Sequence, residues 1–322
     1  MSEPDALFEA VRAERLLAPG RQVVVMLSGG RDSTCLLDLA VRICGPDAVS
    51  ALHVNYGLRE SAGGDEEHCR ELCEKLGVAL AVERPGAPTL GNLQAWARDV
   101  RYGAAARLAA ARSADVAAGH TATDQVETIL YRLASSPSRR ALLGMAKRDG
   151  ALIRPLLAFT REQTGEYCRR WGLGWRDDET NDSDAYARGR VRNGLVPALR
   201  EIHPGAERNV LALAQTLRDE AEVLDALVDT ELAGLQSIEL SRLRALAPAI
   251  GRLVVQRLAD GVNGRPTPGS ARRLEDILAL SGSGTAHLDL PGDLRATVAA
   301  GVLSFARTPR DPHGPRPATR DR

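Results

Sequence analysis

The run at residues 22–27 (QVVVML), broken by Ser28-Gly29-Gly30 and followed at once by a helix-spaced segment, constrains the fold more than any other feature. A short β-branched run of this kind reads as a buried parallel strand. From Asp32 onward, Cys35, Leu36, Leu39, Ala40 and Ile43 recur at helical spacing. The alternation then repeats. Residues 49–54 (VSALHV), 78–82 and 115–118 (DVAA) read as strands, and Leu152-Ile153 as a short fifth one. Residues 64–76, 92–112 and 124–133 read as helices between them. This pattern predicts an α/β fold with a doubly wound, mainly parallel sheet, whose ligands sit beyond the carboxyl ends of the strands. The turns at 28–33, 53–59 and 119–125 all follow strand ends, so three sequence-distant loops are expected to meet at one crevice.

Beyond the sheet the reading is a helix at 160–171, a polar loop at 175–184 and a segment at 185–199 carrying Arg188, Arg190 and Arg192. Alternate arginines cannot share one helix face, so they straddle a bend or a helix end. Residues 205–234 read as one long helix with Leu211, Leu213, Leu217, Leu224 and Leu227 on its apolar side. Pro204-Gly205 marks a boundary. The expected organisation is a first domain at 1–204, a second, mostly helical domain at 205–307, and a disordered tail at 308–322, where proline and arginine leave nothing to bury. Within the second domain, helices are expected at 241–258 and at 270–280, the latter with Ser270 as N-cap. Strand-like pieces are expected at 287–290, 295–298 and 302–306.

Charge narrows the function classes. The 322-residue chain carries 42 basic and 42 acidic residues. A neutral chain is a poor nonspecific coat for nucleic acid, although a local basic face remains compatible with an enzyme that acts on one. Lys75 and Lys147 are the only lysines, and the rest of the basic side is arginine. Coding bias accounts for that, yet arginine also suits bidentate phosphate contacts. The five cysteines, Cys35, Cys44, Cys69, Cys73 and Cys168, form no C-x-x-C pair. A zinc or iron–sulfur site is therefore not expected, and the scattered thiols fit a reduced, cytoplasmic protein. The amino terminus has no apolar signal region, and no run of about 18 apolar residues predicts a membrane span.

The segment Ser28-Gly29-Gly30-Arg31-Asp32-Ser33 is neither a Walker A loop nor a dinucleotide fingerprint. Paired glycines nevertheless let backbone approach a ligand, and amides at a helix start favour an anion. Ser28 and Ser33 add hydroxyl donors. Asp32 beside bound phosphates makes sense as a Mg2+ holder, or else as an N-terminal helix charge.

As a signature, S-G-G-x-D-S resembles the PP-loop of the N-type ATP-pyrophosphatases. His53-Val54-Asn55-Tyr56-Gly57-Leu58-Arg59 resembles the H-V-N-H-G-L-R of tRNA(Ile)-lysidine synthetases. Residues 92–102 (NLQAWARDVRY) and 119–128 (GHTATDQVET) are similar to two further motifs of that family, and the likeness covers about residues 20–200. The resemblance implies that ATP adenylates O2 of the wobble cytidine of the isoleucine tRNA with a CAU anticodon. Free L-lysine then attacks C2, giving lysidine, AMP and pyrophosphate. It implies ATP contacts at Ser28, Gly29, Gly30, Arg31, Asp32, Ser33, His53 and His120. Asp32 and Asp124 become the catalytic, Mg2+-holding pair, and Arg139, Arg140, Arg188, Arg190 and Arg192 become tRNA contacts.

Several readings stay open. His120 contacts nucleotide, orients a carboxylate, or is a polar turn residue. Arg98 and Arg101 share a helix face, as surface ion-pair partners or as phosphate contacts. Trp171, Trp175 and Tyr186 stack on an unstacked base or pack internally. The chain departs from the family pattern at Tyr56, Gln94, Thr123, the 134–138 turn and Gly189, and Thr123 leaves Asp124 without its usual neighbouring aspartate. The alternatives are another PP-loop tRNA modifier of thiolase type, against which the absent C-x-x-C counts, and a catalytically silent tRNA-binding paralogue.

Overall fold

A computed structural model describes residues 3–58, 62–86, 88, 92–136, 138–176 and 187–309. Tyr186, Arg59, residues 177–184 of the polar loop and the tail from residue 310 lie outside the described residues. The chain divides into two compact units, Met1–Leu217 and Arg218–Arg322.

The first unit runs α1 (Glu3–Ala13), β1 (Val23–Met26), α2 (Arg31–Cys44), β2 (Val49–Val54), α3 (Ala62–Leu76), β3 (Ala79–Glu83), α4 (Leu93–Arg112), β4 (Asp115–Ala117), α5 (Ala122–Ser135), α6 (Arg139–Leu142), β5 (Arg148–Asp149), β6 (Leu152–Ile153) and α7 (Arg161–Arg170). It continues with α8 (Ala187–Arg190), a π-helical turn (Val191–Leu195) and α9 (Val196–Ile202). Helix α10 (Ala206–Leu232) runs through the division between the units, whereas the sequence places the boundary before it, at Pro204-Gly205.

The sheet order is β3-β2-β1-β4-β6-β5, parallel throughout except for β5 against β6. Strand alternation explains the two helix layers. Val23 and Val25 point into a core with residues of α1, α2, α3 and α7, while Val24 and Met26 pack with Ala104, Ala105 and Ala109 of α4. Both faces of β1 are covered, which is why its sequence is continuously apolar. From β1 the chain winds outward through β2 and β3, then crosses back to β4 on the other flank of β1. The carboxyl ends of β1 and β4 therefore form the topological switch point, where open α/β sheets bind ligands.

In the second unit, β8 (Thr285–Leu290), β9 (Leu294–Ala299) and β10 (Val302–Arg307) form an antiparallel meander, extended by β7 (Ser237–Glu239), which the sequence reading did not separate from its surroundings. The single helix expected at 241–258 is two, α11 (Leu240–Ala245) and α12 (Pro248–Asn263). Pro248 has no amide to continue a helix but fits the first turn of a new one. Ser270 is not an N-cap either. It opens a short 3-10 turn (Ser270–Arg273) ahead of α13 (Leu274–Leu278), and its buried hydroxyl donates back to the Thr267 carbonyl. Among the described residues, no helix is long and apolar enough to cross a membrane.

Candidate active site at the switch point

The phosphate loop is shaped by its own side chains and leaves its amides open. Gly29 adopts φ +83°, which favours glycine, and a Cβ there would lie 3.2 Å from Cys69 Sγ, so the thiol would have to give way by a few tenths of an ångström. Ser33 Oγ donates to the Gly30 carbonyl at 2.9 Å and accepts from the Ser28 amide at 3.2 Å. Ser28 Oγ lies 3.0 Å from Ser33 Oγ. The two hydroxyls expected to face a ligand therefore brace the turn. Among the described residues, the amides of Gly29, Arg31, Asp32 and Ser33 donate to no backbone carbonyl. Four unsatisfied N–H groups at a helix start form an anion seat. The Arg176 amide holds the Gly29 carbonyl from outside at 3.0 Å. From β4, Gly119 comes so close that a Cβ on it would fall 3.2 Å from the Asp32 carbonyl and the Ser33 amide. Any side chain at 119 would displace the loop.

Asp32 and Asp124 are brought together. Helix α7 packs on α2, where Tyr167 Oη donates to Asp38 Oδ2 at 2.6 Å. That packing sets Thr164 Oγ1 2.5 Å from Asp32 Oδ1, to which it donates. On α5, Thr121 and Asp124 form a capping box: the Thr121 amide and hydroxyl each donate to Asp124 Oδ2 at 2.9 Å. Arg161, in the first turn of α7, lies across the acids. Its guanidinium is 3.0 Å from Asp124 Oδ1, 3.6 Å from Asp32 Oδ2 and 4.0 Å from Glu127 Oε1. Burial lifts the Asp32 carboxyl above its ordinary range despite the Thr164 hydrogen bond, and the Asp124 charge adds to the rise. Burial pushes Asp124 up too, but Arg161, the Thr121 amide and His120 outweigh it and hold the group below its ordinary value.

A cation that can be shared between Asp32 and Asp124 is what the arrangement accommodates, since Arg161 already spans both. Among the described residues, no group of three or more His, Cys, Asp or Glu side chains converges for a metal. Mg2+ held by one or two carboxylates plus substrate phosphates needs no more than this pair.

The two histidines differ. His53 is buried, and its Nδ1 lies 3.0 Å from the Leu27 carbonyl. A carbonyl only accepts, so Nδ1 carries the proton. His53 thus reaches the loop from behind, through Leu27, with Cys69 Sγ 3.4 Å from the same nitrogen. His120, in the turn between β4 and α5, has a buried Nδ1 with no partner among the described residues. Burial drives its pKa down to about 4 against the pull of Asp124, with Arg154, Arg101 and Arg188 adding to the drop. An unfolded histidine titrates near 6.5. As pH falls from about 6.5 toward 4, the unfolded chain takes up a proton that the folded chain refuses. Stability is full above that window and is lost on acidification through it. Urea unfolding at pH 7 and pH 5 should show the wild type losing about 2 kcal/mol more than His120→Gln. Equal losses would contradict a neutral, desolvated imidazole.

The expected tRNA arginines separate into two kinds. Arg192 turns inward and grips Glu127 with two hydrogen bonds, at 2.7 and 3.0 Å; the Glu127 side chain is only 4% exposed. Arg188 is exposed and donates to Thr128 Oγ1 at 3.0 Å, and Arg190 is exposed. The π-helical turn at Val191–Leu195 is what re-aims the chain between these arginines, as insertions of this kind do near functional sites. Arg139 and Arg140 open α6, where Arg139 has a buried Nη1 without a partner. Trp175 packs against the core, and Trp171 lies under Arg42, 3.8 Å from its guanidinium carbon. Sequence reasoning missed Arg161, Thr164 and Glu127. Glu127 follows Asp124 by three residues on one helix face, and that spacing could have exposed it. Nothing local marks Arg161 or Thr164.

A family model described as a PP-loop domain matches residues 6–199. The chain is 34% identical to the tRNA(Ile)-lysidine synthase of Thermus thermophilus, covering 96% of this chain and 62% of that protein. It is 35% identical to the enzyme of the same name from Symbiobacterium thermophilum, covering 94% of this chain and 69% of the relative. A solved U34-tRNA thiolase from Methanococcus maripaludis, 17% identical, superposes with a TM-score of 0.56 over 67% of this chain and 79% of its own, which is a likeness of fold. With the signature loop on its switch point and relatives matching over nearly its whole length, the chain belongs to the tRNA(Ile)-lysidine synthase family of PP-loop proteins.

Proposed function

We propose that this chain ligates lysine to C2 of the wobble cytidine of a tRNA(Ile) with a CAU anticodon, by way of an adenylated cytidine, releasing AMP and pyrophosphate. The observation that carries the reading is the juxtaposition of four free amides at 29 and 31–33 with the Asp32–Asp124 pair, at the one edge where β1 and β4 diverge. Cytidine O2 is a poor leaving group, and transfer of AMP onto it makes it a good one. The amides, with Ser28, Gly30 and Arg31 around them, seat the departing diphosphate; His53 braces the loop from behind and His120 borders the nucleotide. Asp32 and Asp124 hold Mg2+, which supplies charge neutralisation for the phosphates. Until the cation binds, Arg161 keeps Asp124 ionised, and Arg192 holds Glu127 in place with two hydrogen bonds. The exposed Arg188 and Arg190, with Arg139 and Arg140, meet the tRNA.

The same fold carries the thiolase, which was solved with its [4Fe-4S] cluster. Here all five cysteines are buried and free, and none is paired as C-x-x-C. Mass analysis of isoleucine tRNA after incubation with ATP, Mg2+ and lysine tests the reading. One nucleotide should gain a lysine less one water, with stoichiometric AMP. A tRNA that binds tightly yet leaves unmodified, with no AMP formed, would make the chain a silent binder.

A further inference from the structure

Five arginines gather beside this site with no acidic partner among the described residues. Arg98 and Arg101 lie one turn apart on α4, their guanidinium carbons 4.5 and 5.8 Å from the centre of the Tyr102 ring. Arg154, which follows β6, is 6% exposed; its Nη1 donates to the Ala146 carbonyl at 2.6 Å and its buried Nε has no partner. Arg132, on α5, donates to the Gly144 carbonyl at 2.8 Å, and Arg188, on α8, to Thr128 Oγ1. Arg101 Nε and Tyr102 Oη are likewise buried without partners. Among the described residues, none of the five forms an ion pair with a carboxylate, although the chain as a whole has an acid for every base. Burial, then the charges of Arg188, Arg98 and Arg154, pulls the Arg132 pKa down. Burial lowers Arg154 as well, against the pull of Tyr102 and Asp149 and with Arg98 adding to the drop. Repelling guanidinium groups, of which Arg132 and Arg154 are desolvated and Arg101 and Arg154 have idle donors, are a poor arrangement for an empty surface and a good one for an anion with several acceptor oxygens.

We propose that Arg98, Arg101, Arg132, Arg154 and Arg188 grip successive backbone phosphodiesters of the RNA next to the nucleotide being activated. The inference rests on the tRNA reading above and deepens it. The guanidinium fork matches a phosphate's oxygens, and Tyr102 offers a ring against which the arginines, or a neighbouring base, can lie. The source of the phosphate follows from the elements involved. The departing diphosphate has its own seat in the amides between β1 and α2. The arginines come from α4, α5, α8 and the segment after β6, with Arg98 and Arg188 exposed to a partner too large to enter the loop. His120 stands at the join, acted on by Asp124 as well as by Arg154, Arg101 and Arg188. The cluster thus hands the base toward the phosphate seat while the polymer backbone stays outside it.

The test is binding of a CAU anticodon stem-loop RNA to the full chain by fluorescence anisotropy between 50 and 200 mM KCl, roughly the range over which phosphate contacts show themselves. Arg98→Gln/Arg101→Gln and, on a separate helix, Arg188→Gln are compared with wild type, and ATP affinity is titrated without RNA. The double variant should bind RNA about 10-fold or more weakly, with a log K against log salt slope shallower by about 1.5. Arg188→Gln should show roughly half that change in slope, and ATP affinity should stay within about two-fold. RNA affinity and slope equal to wild type in both variants would overturn the proposal. A matching loss of ATP affinity would also overturn it, giving the arginines to the mononucleotide's phosphates. Wild type that takes up ATP but no RNA would remove the tRNA reading itself, and this inference with it.

Discussion

Asp32→Ala should slow tRNA-dependent AMP formation by at least about 10³-fold, the loss expected when several kcal/mol of charge stabilisation is removed from phosphoryl transfer. RNA affinity should stay within a few fold. Asp32 stands in the first turn of α2, among amides aimed at an anion. A bare carboxylate there repels the phosphates it adjoins, so its presence is productive only when a cation intervenes. The arrangement already behaves that way internally, because Arg161 reaches across Asp32 and Asp124. The competing explanation is structural, since alanine would also forfeit the hydrogen bond from Thr164. One such bond is worth about 1.5–3 kcal/mol when its acceptor is charged. Asp32→Asn separates the two effects: it retains an oxygen for Thr164 and loses only the charge. An Asn variant that melts like wild type yet forms AMP at a thousandth of the rate assigns the effect to charge. Near-normal turnover in either variant would take Asp32 out of the metal-holding role.

The frame of the site was readable because its determinants are local. A β-branched run, two glycines and a helix-spaced segment specify strand, turn and helix within 22 residues, and their repetition fixes the sheet. What was not readable lies in long-range packing. Thr164 meets Asp32 across 132 residues, and Arg161 meets Asp124 across 37. Threonine and arginine at a helix start are common for local reasons, so neither betrays a partner on another element. Arg192 looked like one of three surface arginines in a row; only the π-helical turn that follows Arg190 shows why it faces Glu127 while Arg188 and Arg190 face out. Ser270 misled for a related reason. Serine before a helical run is a good N-cap, but Gly269 at φ +85° reverses the chain there and the hydroxyl bonds backwards instead. Ser28 and Ser33 show the same limit: a hydroxyl beside a glycine turn reads as a ligand donor, and the sequence does not reveal that it also braces the turn.

Arg161→Gln should give the largest loss of stability of any single change at this edge, and the size follows from what is left behind. Glu127 is 4% exposed in its side chain, and Asp124 and Asp32 are 19% and 18% exposed. Removing one partner of a fully buried ion pair costs about 3–5 kcal/mol, because the other charge is stranded. The acids here are not all stranded. Arg192 still holds Glu127 with two hydrogen bonds, and the Thr121 amide and hydroxyl still serve Asp124. The loss should therefore fall at about 2–3 kcal/mol, below that range. A unit of this size shifts by about 2–4 °C per kcal/mol, so the melting temperature should drop by roughly 5–10 °C without nucleotide or metal. The same geometry predicts the cure. In the wild type a divalent cation must displace the guanidinium from Asp32 and Asp124, and in the variant it meets no competitor. Mg2+ should raise the melting temperature of Arg161→Gln more than that of wild type, and calorimetric titration of Mg2+ alone should show tighter binding to the variant. A variant that melts within a degree of wild type, with Mg2+ stabilising both equally, would mean that Arg161 neither neutralises these carboxylates nor holds the place of their cation.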